Sequence, residues 1–271
     1  MKDKKQSEYD CLNLTKSYIN NKCNLKTRKY IYSLIPFDDV NIKVEQSERP
    51  DFVINSDKCS YAVEHFLIDF CYDGPANDQS MSKRANRNVF GIYEKYHDPT
   101  IGTIKDEDIN SAVADIEKEI NNIENIAKSF SYEKYIDGFK RVYEQHYNRV
   151  ESYRANVALT NPNIKVGFLI ELHCDPTLVQ AVLNGSLVSF KSNHKPFPIT
   201  KEIIELFRSS TELDFIILSQ FNEGVFTEAH DVRLFEPNRI YASLDKQRIQ
   251  VYDRIVYPNI TKNIKLNIEK G

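Results

Sequence analysis

A chain of 271 residues with 41% apolar side chains can bury the core of one large domain, with room for a sizeable insertion. No apolar run approaches the roughly 20 residues that cross a bilayer, and 36 basic against 39 acidic residues give a net charge of −3. That balance does not by itself point to a nucleic-acid binder, so local patches decide the matter. The N-terminal MKDKKQSEYD is charged and has no apolar stretch behind it, unlike a secretory signal, so a cytoplasmic protein is expected. Five cysteines (Cys11, Cys23, Cys59, Cys71 and Cys174) include no C-x-x-C pair. A disulfide framework or a cysteine-paired structural zinc site is therefore not expected, and buried reduced thiols are.

Residues 1–40 read as helical. Leu12, Leu14, Tyr18 and Ile19 mark one apolar face, and Tyr30, Ile31, Leu34 and Ile35 a second that ends at Pro36. From Ile42 the pattern changes to alternation. Asp51-Phe-Val-Ile is followed by the turn formers Asn55 to Lys58 and then by the long apolar run Tyr61 to Phe70. Two such runs around a polar gap predict a β-hairpin, with the second run as a central strand. Residues 73–105 are polar and read as a loop that carries the basic stretch Lys83, Arg84 and Arg87.

Residues 106–157 carry the clearest helical signal. Ile109, Val113, Ile116, Ile120, Ile123, Ala127 and Phe130 recur at steps of four and three, as do Tyr135, Phe139, Val142, His146, Val150, Tyr153 and Val157. A long hairpin of two helices packed on each other is expected, and its stripe is a candidate homodimer or partner surface. The aromatic residues Tyr135, Phe139, Tyr143, Tyr147 and Tyr153 fit core packing better than base stacking at that spacing. Ile164 to Asp175 predicts a buried strand, Thr177 to Leu183 a short helix, and Thr200 the cap of a helix through Ile203, Ile204 and Phe207. Leu213 to Leu218, Asp231 to Phe235 and Arg248 to Ile255 predict further strands. Strands interleaved with helices indicate an α/β fold.

The chemistry-bearing candidates lie in the predicted hairpin. Asp51 opens one strand and Glu64 sits in its neighbour, where antiparallel pairing can bring their carboxylates close if both point to the same face. Two acids in an apolar sheet repel and call for a cation or a shared proton. A magnesium (or manganese) ion, held by few carboxylates plus water, meets that need and lowers the pKa of a bound water for in-line attack on phosphate. Pro50-Asp51, a twelve-residue spacer and Glu64 resemble the PD-(D/E)xK nuclease superfamily. That resemblance implies a restriction-endonuclease-like core: a helix, three strands, a helix and a further strand in a mixed sheet flanked by helices, here as a single domain over 1–271. It also implies a metal-dependent nuclease hydrolysing DNA phosphodiesters. Asp51 and Glu64 would hold the metal, the backbone of His65 would complete the site, and Glu48 would be an additional acidic candidate.

The motif departs at its lysine, because Phe66 stands two residues after Glu64. A basic group must then reach the site from elsewhere, such as Lys58, Lys83, Arg84 or the helix spanning Lys140 to Arg154, or the fold serves as a catalytically inactive binding module. Lys83, Arg84 and Arg87 are candidate phosphate contacts. A third reading is a metal hydrolase built from Glu171 and His173, which share a strand face, with His230 and Asp231.

Overall fold

The computed structural model describes residues 4–37, 42–56, 59–69, 91–92, 94–98, 100, 103–127, 131–158, 163–174, 180–188, 198–222, 229 and 231–256, without the side chains of 69, 120, 122–127, 173, 174 and 222. In chain order these form α1 (Lys4–Asn21), α2 (Leu25–Leu34), β1 (Lys43–Gln46), β2 (Phe52–Asn55), β3 (Ser60–Asp69), β4 (His97–Asp98), β5 (Thr103–Ile104), α3 (Ile109–Ala127), α4 (Tyr132–Tyr147) and α5 (Val150–Ala158). They continue as β6 (Ile164–Cys174), β7 (Gln180–Leu183), β8 (Ser186–Val188), β9 (Ile199–Thr200), α6 (Lys201–Ser209), β10 (Phe215–Asn222) and β11 (Asp231–Phe235). A 3₁₀ turn (Pro237–Arg239), α7 (Ile240–Gln247), β12 (Val251–Tyr252) and β13 (Arg254–Val256) follow.

The centre is a six-stranded mixed sheet in the order β1-β2-β3-β6-β10-β11. β1, β2 and β3 form an antiparallel meander, β6 and β10 run parallel to β3, and β11 returns antiparallel on β10. β6 is the spine. Val166, Phe168, Leu169, Ile170 and Leu172 are all buried, the near-continuous apolar run expected of a strand covered on both faces. One face is covered by α4, α5, α6 and α7 through Phe139, Tyr143, Tyr153, Phe207 and Leu244. The other is covered by α1 and α2 through Leu12, Ile19 and Ile31. Gly167 belongs to this packing: a Cβ there would lie 2.2 Å from the ring of Phe215, its register partner on β10. The expected α/β fold with a mixed sheet between helical layers is therefore present, and no helix among the described residues is long and apolar enough to cross a membrane.

Two expected elements come out differently. The second half of the 106–157 hairpin is broken at Asn148 and Arg149 into α4 and α5. Its stripe, Tyr135, Phe139, Val150, Tyr153 and Val157, packs on the sheet, in a cluster that contains no described residue of α3. In this half the heptad pattern marked the buried face, which the sheet and Phe207 of α6 cover together. Gln180–Leu183, expected to end a short helix, is strand β7, paired antiparallel with β8 and β13. Thr200 does stand at the N-cap of α6, although its hydroxyl makes no capping bond.

Candidate functional site

The β2–β3 hairpin forms as expected, and its register decides the site. Phe52 pairs with Val63, so one step further Asp51 stands opposite Glu64, and directly opposed residues share a face. Both are buried, at 7% and 6% exposure. The Oδ2 atom of Asp51 accepts the backbone N–H of His65 at 2.8 Å. Burial, then the charge on Glu64, pushes the Asp51 carboxyl from 3.8 up to about 6. The His65 hydrogen bond opposes that rise, and Glu8, buried on α1, adds to it.

Glu64 is held from the other side by the helices. The hydroxyl of Tyr153 on α5 donates to its Oε1 at 2.9 Å. The Nδ1 of His146 on α4 lies 3.0 Å from the same oxygen. Oε2 is buried and has no hydrogen-bond partner among the described residues. A buried carboxylate oxygen left unsatisfied is costly, and a cation or a shared proton would relieve the cost for both acids at once. Burial and the charge on Glu64 together push the Tyr153 hydroxyl far up, so it stays a donor.

Phe66, two residues after Glu64, lies on the same strand face by the period of two. Its ring stacks on the His146 imidazole at 4.2 Å and 8° and meets Tyr143 and Phe168 edge-on. The stack orients His146 so that Nδ1 faces Glu64, and His146 keeps 21% of its side chain exposed. A Nδ1–H bonded to a carboxylate leaves Nε2 as the basic nitrogen.

The other sequence candidates fall as follows. Glu48 is exposed in the loop before β2. His65 meets Asp51 through its backbone N–H, while its imidazole turns to the opposite face, where Nε2 lies 2.8 Å from Oε2 of Glu171. Glu171 therefore pairs with His65, and His230 and the side chain of His173 lie outside the described residues, as do Lys58, Lys83, Arg84 and Arg87. Asp231 is engaged by Arg233 at 2.6 Å and stands near Tyr18.

Beside His65 and Glu171 lies Cys11 of α1, whose thiol is pushed well up by burial and by the charge on Glu171. Sequence reasoning named the helix from Lys140 to Arg154 as a source of a replacement base, but not His146 or Tyr153 individually. Their signal was there: both are polar-tipped residues on an otherwise apolar stripe. Glu8 and Cys11 carried no such local sign. No protein-family model, curated protein or solved structure matches this chain.

Proposed function

We propose that the protein is a divalent-cation-dependent phosphodiesterase of the nuclease type, acting on DNA, with magnesium or manganese held between Asp51 and Glu64. The observation that carries this reading is the pair itself. Two buried carboxylates stand opposite each other on the β2–β3 hairpin, one pushed up to about 6 by burial and by the other's charge, and the other with a buried oxygen that has no partner among the described residues. A cation held by Asp51 and Glu64 would neutralise both acids and would supply an activated water for attack on phosphate. His146 takes up the task of the absent motif lysine: Glu64 holds its Nδ1, which leaves Nε2 to accept a proton from the attacking water. The order of elements, helix, antiparallel β1-β2-β3, helices, then β6 parallel to β3, agrees with the restriction-endonuclease-like core that the sequence resemblance implies. Lys83, Arg84 and Arg87 are the proposed phosphate contacts.

The test is cleavage of plasmid and single-stranded DNA by the full chain with and without magnesium or manganese. Cleavage that requires the metal and is abolished in Asp51→Ala and in Glu64→Ala supports the proposal, and His146→Ala is expected to lose about 100-fold or more in rate. Equal cleavage by the wild type and both acid variants refutes it. A second reading, a nuclease-like fold that binds without cutting, is favoured by two features: Phe66 fills the lysine position, and both acids lie under one tenth exposed. Metal and DNA binding with no cleavage under any of these conditions would select it.

A further inference from the structure

On the opposite face of β3 a second constellation stands apart from the acid pair. We propose that Cys11, His65 and Glu171 form a binding site for one borderline-soft divalent cation of the zinc class, with a fourth position open to a water. The three residues come from α1, β3 and β6. Strands β3 and β6 run parallel with His65 beside Leu169 and Leu67 beside Glu171. By the period of two, His65 and Glu171 therefore project to one face as diagonal neighbours. That face carries Tyr61, Val63 and Leu169, and α1 covers it. Cys11 sits on the buried side of α1, and its sulfur, a ring nitrogen of His65 and a carboxylate oxygen of Glu171 all lie within 4.8 Å of one another.

The donor set argues for the metal. Tetrahedral zinc takes sulfur at about 2.3 Å and nitrogen or oxygen at about 2.0–2.1 Å, which places neighbouring donors roughly 3.3–3.6 Å apart. The 2.8 Å contact between His65 and Glu171 would widen by roughly half an ångström to meet that geometry, and every donor pair already lies within 4.8 Å. Charge is also matched: a thiolate, a carboxylate and a neutral imidazole cancel the +2 of the ion, so the buried site is left neutral. A thiolate and an imidazole favour zinc over magnesium, which prefers all-oxygen shells. Cys11 and Glu171 also line a cavity of about 500 Å³, together with Ser7, Asp10, Asn13 and Phe221. Three protein ligands beside such a space match zinc sites that keep a water, rather than closed four-ligand sites. The reading does not depend on the acid pair: Glu64 and His65 are consecutive, but their side chains leave β3 on opposite faces.

Cobalt titration of the full chain, stripped of metal under reducing conditions, tests the site. One equivalent of Co²⁺ is expected to give intense visible bands of tetrahedral cobalt with a near-ultraviolet thiolate charge-transfer band, bleached by one equivalent of Zn²⁺. Cys11→Ser is expected to remove the charge-transfer band and weaken binding by at least about 100-fold, since loss of even an outer hydrogen-bond partner costs 10–100-fold. The double variant Asp51→Asn/Glu64→Gln is expected to keep the full spectrum. Weak octahedral bands alone in the wild type, or a charge-transfer band that survives Cys11→Ser, overturns the proposal. Should Cys11→Ser fail to fold, alkylation of the wild type, mapped by mass spectrometry, decides: Zn²⁺ must slow modification of Cys11 at least tenfold, and an unchanged rate overturns the site.

Discussion

Asp51→Asn, measured without metal, tests whether the acid pair is a standing cost to the fold. The Asp51 carboxyl has an ordinary value of 3.8 and about 6 in the folded chain, chiefly from burial and the Glu64 charge. The folded state therefore holds this proton more tightly than the unfolded state. The resulting stability is fully present below about pH 4 and is lost as pH rises to about 6; above that, the folded chain carries the whole penalty. At 1.36 kcal/mol per pH unit the difference amounts to about 3 kcal/mol.

Asparagine removes the charge and keeps an oxygen to accept the His65 N–H, but with a weaker, neutral hydrogen bond. The expected net gain is about 1–2 kcal/mol at pH 8, which is a Tm rise of a few degrees for a chain of this size, and little or no gain at pH 4. Urea unfolding at both pH values in the presence of a chelator reads it directly. Magnesium should then reverse the ranking: at 100 times its Kd it stabilises the wild type by about 2.7 kcal/mol and leaves Asp51→Asn unmoved. A variant less stable than the wild type at pH 8 without metal would refute the reasoning, because Asp51 would then be a net structural contributor rather than a strained one.

Glu64→Ala strips the acceptor from the fully buried Tyr153 hydroxyl and from His146, and is expected to cost about 1–3 kcal/mol in denaturant unfolding. Glu64→Gln keeps an acceptor, costs less, and should bring the Asp51 carboxyl down toward 3.8 in an NMR titration. Gly167→Ala drives a methyl into the buried Phe215 ring, which must shift within a packed core; a loss of about 1–3 kcal/mol is expected. Adding Phe215→Leu should recover part of that loss, and strictly additive losses would show that the two residues are not in conflict.

The hairpin was legible because both of its signals are local: turn formers at Asn55 to Lys58 and two apolar runs around them; that Asp51 stands opposite Glu64 came from the strand register. β6 was legible for the same kind of reason, as a long apolar run. The fate of residues 132–157 was not. A 3.5-residue period identifies which face is buried and says nothing about what buries it, so a stripe that packs on a sheet reads the same as one that packs on a helix. Gln180–Leu183 failed in a related way, since a four-residue apolar run carries no decisive period and only its pairing with β8 and β13 makes it a strand. Cys11 and Glu171 meet only through the β3–β6 register and the seating of α1, distances of sequence at which no local pattern operates.

The polar groups around β3 explain one another. An apolar residue at position 146 would continue the stripe of α4 and pack on Phe66 without any desolvation cost, and an apolar residue at 64 would need no partners from two helices. Replacing buried ionic groups by well-packed apolar ones is often neutral or stabilising. The chain instead buries Glu8, Asp51, Glu64 and Glu171 around consecutive residues of one strand. It spends His146 and Tyr153 to satisfy one oxygen of Glu64, while the second has no partner among the described residues. A network built only for stability would have closed on itself. One that stops a donor short among the described residues, with a second acid pushed up beside it, is the feature on which the proposed cation site rests.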